Sequence, residues 1–173
     1  DMSQYQALES SLMGQLESSD AKGNVHLALA ILYEFHAPDE AFPAAQQEPG
    51  GGLLDDGRSR ARVLAAIASL HKAVAAEPGN IAALWQLALL KENVDDKAAV
   101  ALWSSLLQQA PEHLQALSRL GEGQLLLEDY EAARETGERD LKLAQARDDE
   151  EEAGRARNVL GRAYLQQGKY QLA

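Results

Sequence analysis

Leu120-Gly121 is followed, nine residues after the leucine, by Asp129-Tyr130-Glu131-Ala132-Ala133; Leu160-Gly161 is followed by Tyr164 and then by Gly168-Lys169-Tyr170-Gln171-Leu172-Ala173. The two blocks align without a gap at a spacing of 40 (161 minus 121). A weaker copy lies upstream, where Leu87-Ala88 leads to Ala99 and Leu87 precedes Leu120 by 33 (120 minus 87). Self-similarity at this period marks stacked helical hairpins, none of which can bury its apolar face alone. Function then lies in the surface that the stack presents.

Composition agrees with helices. Hydrophobic residues make up 46% of the 173 residues and aromatics only 5%, so the core must be built from Ala and Leu. Alanine has the best helix propensity and lets helix axes approach; β-branched residues, which favour sheets, are sparse. The net charge is −11, with acids in excess in both halves, and no basic tract is present. Nucleic-acid binding by phosphate neutralisation and attraction to an anionic membrane surface are therefore disfavoured. The charge is read as solubility. The absence of cysteine excludes disulfides, thiol catalysis and thiolate metal sites; it fits cytosol and periplasm equally. No apolar run approaches the roughly 20 residues that span a bilayer, so no membrane insertion of this segment is expected. The chain begins at Asp1 and stops one turn into a helix. It is expected to be processed or a fragment, with the polypeptide continuing past Ala173 or another chain covering that end.

Apolar residues at helical spacing predict helices over 3–18, 24–36, 59–76, 81–93, 98–109, 114–127, 130–147 and from Asp148 to Gln167. Gly168 ends the last, and Lys169 begins its partner. Residues 37–57 break the periodicity with Pro38, Pro43, Pro49 and Gly50-Gly51-Gly52, a loop longer than compact domains usually carry. Its Phe42, Leu53 and Leu54 admit a lid folded on the array; a disordered excursion is the other reading.

These residues resemble the tetratricopeptide repeat, a pair of antiparallel helices of about 34 residues. The family pattern is met by Leu29, Ala30, Tyr33, Ala66, Leu70, Ala73 and Pro78 in a first unit interrupted by the long loop. It is met again by Leu84, Leu87, Ala88, Ala99, Trp103 and Pro111, by Leu117, Leu120, Gly121, Tyr130 and Ala133, and by Leu160, Gly161, Tyr164, Gly168, Tyr170 and Ala173. The resemblance implies an all-α right-handed superhelix of antiparallel helix pairs, an α-solenoid. Its divisions are a capping helix or degenerate repeat over 1–22, a first repeat over 23–80 with its insertion at 37–57, a second over 81–113, a longer third over 114–153 and an incomplete fourth over 154–173. Gly121 and Gly161 are expected where helices cross most closely. Gly137 and Asp140 depart from the pattern, which predicts a contact face shifted to Leu141, Leu143 and Ala144.

No catalytic or metal constellation emerges, so a non-enzymatic protein without cofactor or metal is expected. His26, His36, His71 and His113 are scattered, with only a loose His36/Asp39/Glu40 group. Asp95-Asp96 and the acids of 148–152 sit at helix starts, where capping explains them. The glycine run lacks the Lys-Ser/Thr of a phosphate loop.

In this family the first helix of each pair lines a concave groove. By the resemblance that places Leu27, Ile31, Trp85 and Leu89 at an apolar end and Arg119, Asn158 and Arg162, with Glu122 and Arg155, at a polar one. A protein or peptide partner would rest an apolar anchor on Trp85 and Leu89 and a carboxylate on Arg119 and Arg162. The alternative is that Trp85 packs internally and the arginines pair with Glu122 and Glu128. Trp103 is assigned to the core. The clamp of chaperone-tail receptors is matched only at Arg119. A second class of function is assembly, by self-association or docking through the open C-terminal end.

Overall fold

A computed structural model describes residues 2–18, 21–38, 41, 60–92 and 94–168. The described residues form α1 (Met2–Ser18), α2 (Lys22–Ile31) with a π-helical turn Leu32–His36, α3 (Arg60–Ala76), α4 (Ile81–Lys91), α5 (Asp96–Gln109), α6 (Leu114–Leu126), α7 (Tyr130–Ala146) and α8 (Glu150–Gln166). No strand occurs among them, as the sequence predicts. The insertion from 42 onward with Phe42, Leu53 and Leu54, the pair Asp39/Glu40, and the start of a ninth helix at 169–173 lie outside the described residues. The chain divides into two compact units, residues 1–90 and 91–173.

In the first unit α2 lies along α3, and the π turn rests on α3 as well. Leu29 and Ala30 on α2 and Ala66, Leu70 and Ala73 on α3 are all buried. Small residues on facing helices let the axes approach closely, and each fully enclosed leucine contributes about 1.5–3 kcal/mol. The carbonyls that end the π turn have no helical partner of their own. Arg62 meets them from α3, donating from Nε to Tyr33 O (3.3 Å) and from Nη2 to Glu34 O (2.8 Å). Asn80 caps α4, its Oδ1 accepting from Ala83 N, and its Nδ2 donates to Asn24 Oδ1 and Glu77 Oε2. The N-terminal helix α1 docks through buried Tyr5 beside Leu32 and Ala37. The phenols of Tyr5 and Tyr33 both hydrogen-bond Glu9, and burial raises the pKa of each.

In the second unit α5 packs on α6, α6 on α7 and α7 on α8, and α6 also meets α8. Aspartates cap three of these helices: Asp95 Oδ1 accepts from Ala98 N, Asp129 Oδ1 from Ala132 N, and Asp149 Oδ1 from Glu152 N. The turns after α6 and α7 share one geometry. Asp129 N donates to Gln124 O and Glu128 N to Leu125 O; Asp149 N donates to Ala144 O and Asp148 N to Gln145 O. These are the paired bonds of a Schellman ending, which needs a left-handed residue. That residue is Glu128 (φ 61°) in one turn and Asp148 (φ 55°) in the other. Gly168 (φ 72°) follows α8 in the same conformation without a Cβ to strain. Glu128→Gly is expected to stabilise the second unit by about 0.5–1 kcal/mol, because an L side chain costs roughly 1–2 kcal/mol there and glycine loses part of that gain as chain entropy. Asp148→Gly should gain less, since Asp tolerates this region better. Urea midpoints measure both, and a lowered midpoint for Glu128→Gly contradicts the assignment.

The contact face of α7 does not shift to Leu141 and Leu143, which are only half-buried. It runs through Ala133, Thr136, Gly137, Asp140 and Ala144. Gly137 belongs on it because a Cβ there would stand 3.0 Å from Leu160 Cγ and 3.4 Å from Val159 Cγ1 on α8. Gly121 belongs on the facing line of α6, where a Cβ would meet Val159 Cγ1 at 3.0 Å and Thr136 Cγ2 at 3.7 Å. Gly161 lies half-buried within α8.

Candidate functional site

The seven residues singled out by sequence fall into two sets. Leu27 and Ile31 on α2 and Trp85 and Leu89 on α4 belong to the first unit. Ile31 is 38% exposed and the other three are half-buried. Each pair is spaced four residues apart on one helix, so its members share a face. Arg119 on α6 and Asn158 and Arg162 on α8 belong to the second unit, and all three are exposed.

Arg119 is engaged, with a partner other than Glu122 or Glu128. Its Nη1 donates to Glu92 Oε2 at 3.3 Å. The other oxygen of Glu92 accepts from Trp103 Nε1 at 2.9 Å. Burial pushes the Glu92 carboxyl above its ordinary pKa; Arg119 and the indole pull it down, and Glu122 and Asp96 oppose them. These groups line a cleft of about 260 Å³, with Leu126 at its edge 63% exposed. Trp103 is a core residue, fully buried, with its one polar atom satisfied by Glu92.

On α8 the outward residues Arg155, Asn158 and Arg162 recur at three and four residues and therefore share a face. Arg155 pairs with Glu151 and Glu152. Asn158 and Arg162 make no ion pair or side-chain hydrogen bond with another described residue. Leu165, 48% exposed, lies one turn beyond Arg162. The arrangement supplies two committed guanidiniums, Arg119 and Arg155, the Arg162 guanidinium and Asn158 carboxamide without a partner among the described residues, and exposed leucines on both helices. That is chemistry for recognising a chain with carboxylates and apolar side chains.

Three buried residues escape sequence reasoning. Ser118 on α6, Asp140 on α7 and Glu152 on α8 meet where the three helices join. Ser118 Oγ lies 2.8 Å from Asp140 Oδ2 and in hydrogen-bond contact with Glu152 Oε1. Asp140 is 1% exposed, and its Oδ1 has no hydrogen-bond partner among the described residues. Burial, with Glu152 and Asp149 adding to it, pushes its pKa up to about 6, against the lowering by Ser118 and Arg155. Among the described residues no group of three or more metal-ligating side chains converges. His26 is half-buried, and burial with Lys72 and Lys22 nearby lowers its pKa.

The sequence matches no protein-family model and no curated protein. Among solved structures it is similar to three of MamA, each at 19% identity and over 98% of this chain. A point mutant is matched over 85% of its own chain with a TM-score of 0.59. MamA of MSR-1 is matched over 84% with 0.59, and MamA of AMB-1 over 80% with 0.62. The fold is tetratricopeptide-like. At that identity the likeness is one of helices and their pairing, and no side chain is carried across by it. No described helix is long and apolar enough to cross a membrane.

Proposed function

We propose that the chain is a non-enzymatic protein-interaction scaffold. The observation that carries this reading is the tetratricopeptide-like fold with Arg162 and Asn158 exposed on α8 and without a partner among the described residues. The second unit takes a peptide or partner helix whose carboxylates reach Arg162 and Arg119 and whose apolar side chains rest on Leu126 and Leu165. Leu27, Ile31, Trp85 and Leu89 offer an apolar contact region in the first unit. A pre-formed helical face limits the ordering cost of association.

The test is an array of immobilised 15-residue peptides that combine Asp or Glu with Leu or Phe, alongside counterparts with Lys in place of the acids. The wild-type chain is expected to be retained by the acidic set. Arg119→Glu with Arg162→Glu is expected to weaken retention at least tenfold, because each charge-assisted hydrogen bond contributes roughly 1.5–3 kcal/mol and 1.4 kcal/mol is a factor of ten. Arg162→Glu alone, at an exposed position away from the Glu92 cluster, should weaken retention and leave the helical signal unchanged, which separates lost binding from lost folding in the double variant. Equal retention of both peptide sets, or unchanged affinity of the double variant, overturns the reading. A second reading, an assembly segment docking through the C-terminal end, is favoured by exposed Leu165. Light scattering across concentration separates it, since a second copy on that face gives a mass that rises with concentration and falls for Leu165→Lys.

A further inference from the structure

A serine hydroxyl carries one hydrogen and can donate one hydrogen bond. Ser118 Oγ nonetheless lies in hydrogen-bond contact with two carboxyl groups, Asp140 Oδ2 at 2.8 Å and Glu152 Oε1. If both carboxyls were ionised, one of these contacts would set a lone pair against an anion. If one is protonated, both contacts become bonds: the acid O–H donates to Oγ, and the Oγ hydrogen is donated to the other carboxylate. The local environment decides which carboxyl holds the proton. Glu152 has a cation on its second oxygen, Arg155 Nη1 at 3.3 Å. Asp140 has no partner on Oδ1 among the described residues and is almost wholly buried. The uncharged Ser118 faces it from α6, and Asp149, Glu152 and Arg155 face it from α8. An ion in that place lacks the hydrogen bonds that offset its desolvation.

We propose that Asp140 holds a proton that it donates to Ser118 Oγ, whose own hydrogen goes to Glu152, and that losing this proton loosens the first turns of α8 from α6 and α7. The cluster sits where α8 begins, below the face that carries Arg155, Asn158 and Arg162. One proton thereby controls how firmly that face is held. The direction follows from the native preference for the protonated acid. Burial raises the Asp140 pKa from its ordinary value to about 6 in the folded chain. The native state therefore binds more protons than the unfolded state between those two values. The contribution to stability is complete at the acid end and is lost as pH rises through about 6.

The experiment compares amide hydrogen-exchange protection of α8, corrected for intrinsic rates, at pH 5 and pH 8. It uses the full chain and its Asp140→Asn variant. The asparagine amide donates to Ser118 Oγ at any pH and fixes the protonated arrangement. In wild type, protection over the first turns of α8 is expected to fall by roughly tenfold or more on going to pH 8, each unit of pKa difference being worth a factor of ten. In Asp140→Asn the fall is expected to be absent. Parallel behaviour of the two chains overturns the proposal. Should Asp140→Asn fail to fold, the carbon-13 carboxyl shift of Asp140 in the wild type decides. A titration midpoint near 6 supports the proton on Asp140, and a group already ionised at pH 5 overturns it.

Discussion

Trp103→Ala is expected to destabilise the second unit by about 3–5 kcal/mol, the range for deleting a large buried aromatic. The indole is fully buried on α5. It forms one wall of the cleft whose other sides are Glu92, Arg119 and Glu122. Truncation removes its packing and also one of the two hydrogen bonds that hold the half-buried Glu92 carboxylate. Trp103→Phe separates the two effects through pH, since it keeps a six-membered ring and loses Nε1 with two ring carbons, a packing loss that does not vary with pH, whereas the loss of the Glu92 bond does. Burial already raises the Glu92 pKa, and the indole bond is one of two influences lowering it. Without that bond the folded-state pKa rises further. Trp103→Phe should therefore equal wild type more closely below the ordinary carboxylate range, where Glu92 is protonated in both, and fall behind it as pH rises through the folded pKa. Urea unfolding followed by far-ultraviolet circular dichroism at pH 3.5 and pH 7.5 measures this. A Trp103→Ala cost below 1 kcal/mol, or a Trp103→Phe deficit larger at the acid end, contradicts the account.

How far the sequence could be read is shown by the two kinds of residue at the α6–α7–α8 junction. Positions that answer to geometry were legible. Gly121 and the Leu-Ala pairs stand at matching positions of the repeated pattern because paired helices come close there, and a missing or minimal side chain leaves its mark in the residue type. Trp103 and the caps Asp95 and Asp149 are legible for the same reason, since burial and cap chemistry each select a narrow set of residues. The buried cluster was not. Glu152 sits in a run of acids at the start of α8, where first-turn carboxylates are expected to face solvent. Only its contact with Ser118, 34 residues earlier, shows that it points inward. Asp140 read as a flaw in an apolar line because its compensating partner lies on a neighbouring helix, 22 residues away. Polar pairing depends on a partner that no local pattern announces. The partner of Arg119 was missed likewise: Glu92 lies 27 residues before it, whereas Glu122 and Glu128 were nearer in sequence.

Gly121→Leu and Gly154→Ala should move stability in opposite directions, although both replace a helical glycine. In a helix interior an alanine is preferred to glycine by roughly 1 kcal/mol. At Gly154, on the exposed side of α8, an added Cβ meets nothing within 4 Å, so the alanine variant is expected to gain most of that amount. At Gly121 the Cβ alone would stand 3.0 Å from Val159 Cγ1 and 3.5 Å from its Cγ2. Val159 is β-branched and in a helix holds essentially one χ1 rotamer, so it cannot swing aside. The leucine's remaining carbons have no space between α6 and α8, and overpacking of this kind costs about 1–3 kcal/mol and occasionally more. The clash has a stated partner, so it can be relieved. Val159→Ala costs stability alone, yet combined with Gly121→Ala it should cost less than the two single changes added, a coupling expected for side chains in contact. Urea midpoints for the wild type and the five variants suffice. Additive effects, or a gain for Gly121→Leu, would mean that α6 and α8 do not cross at Gly121, and the close-packed hairpins would lose the contact on which their stacking depends.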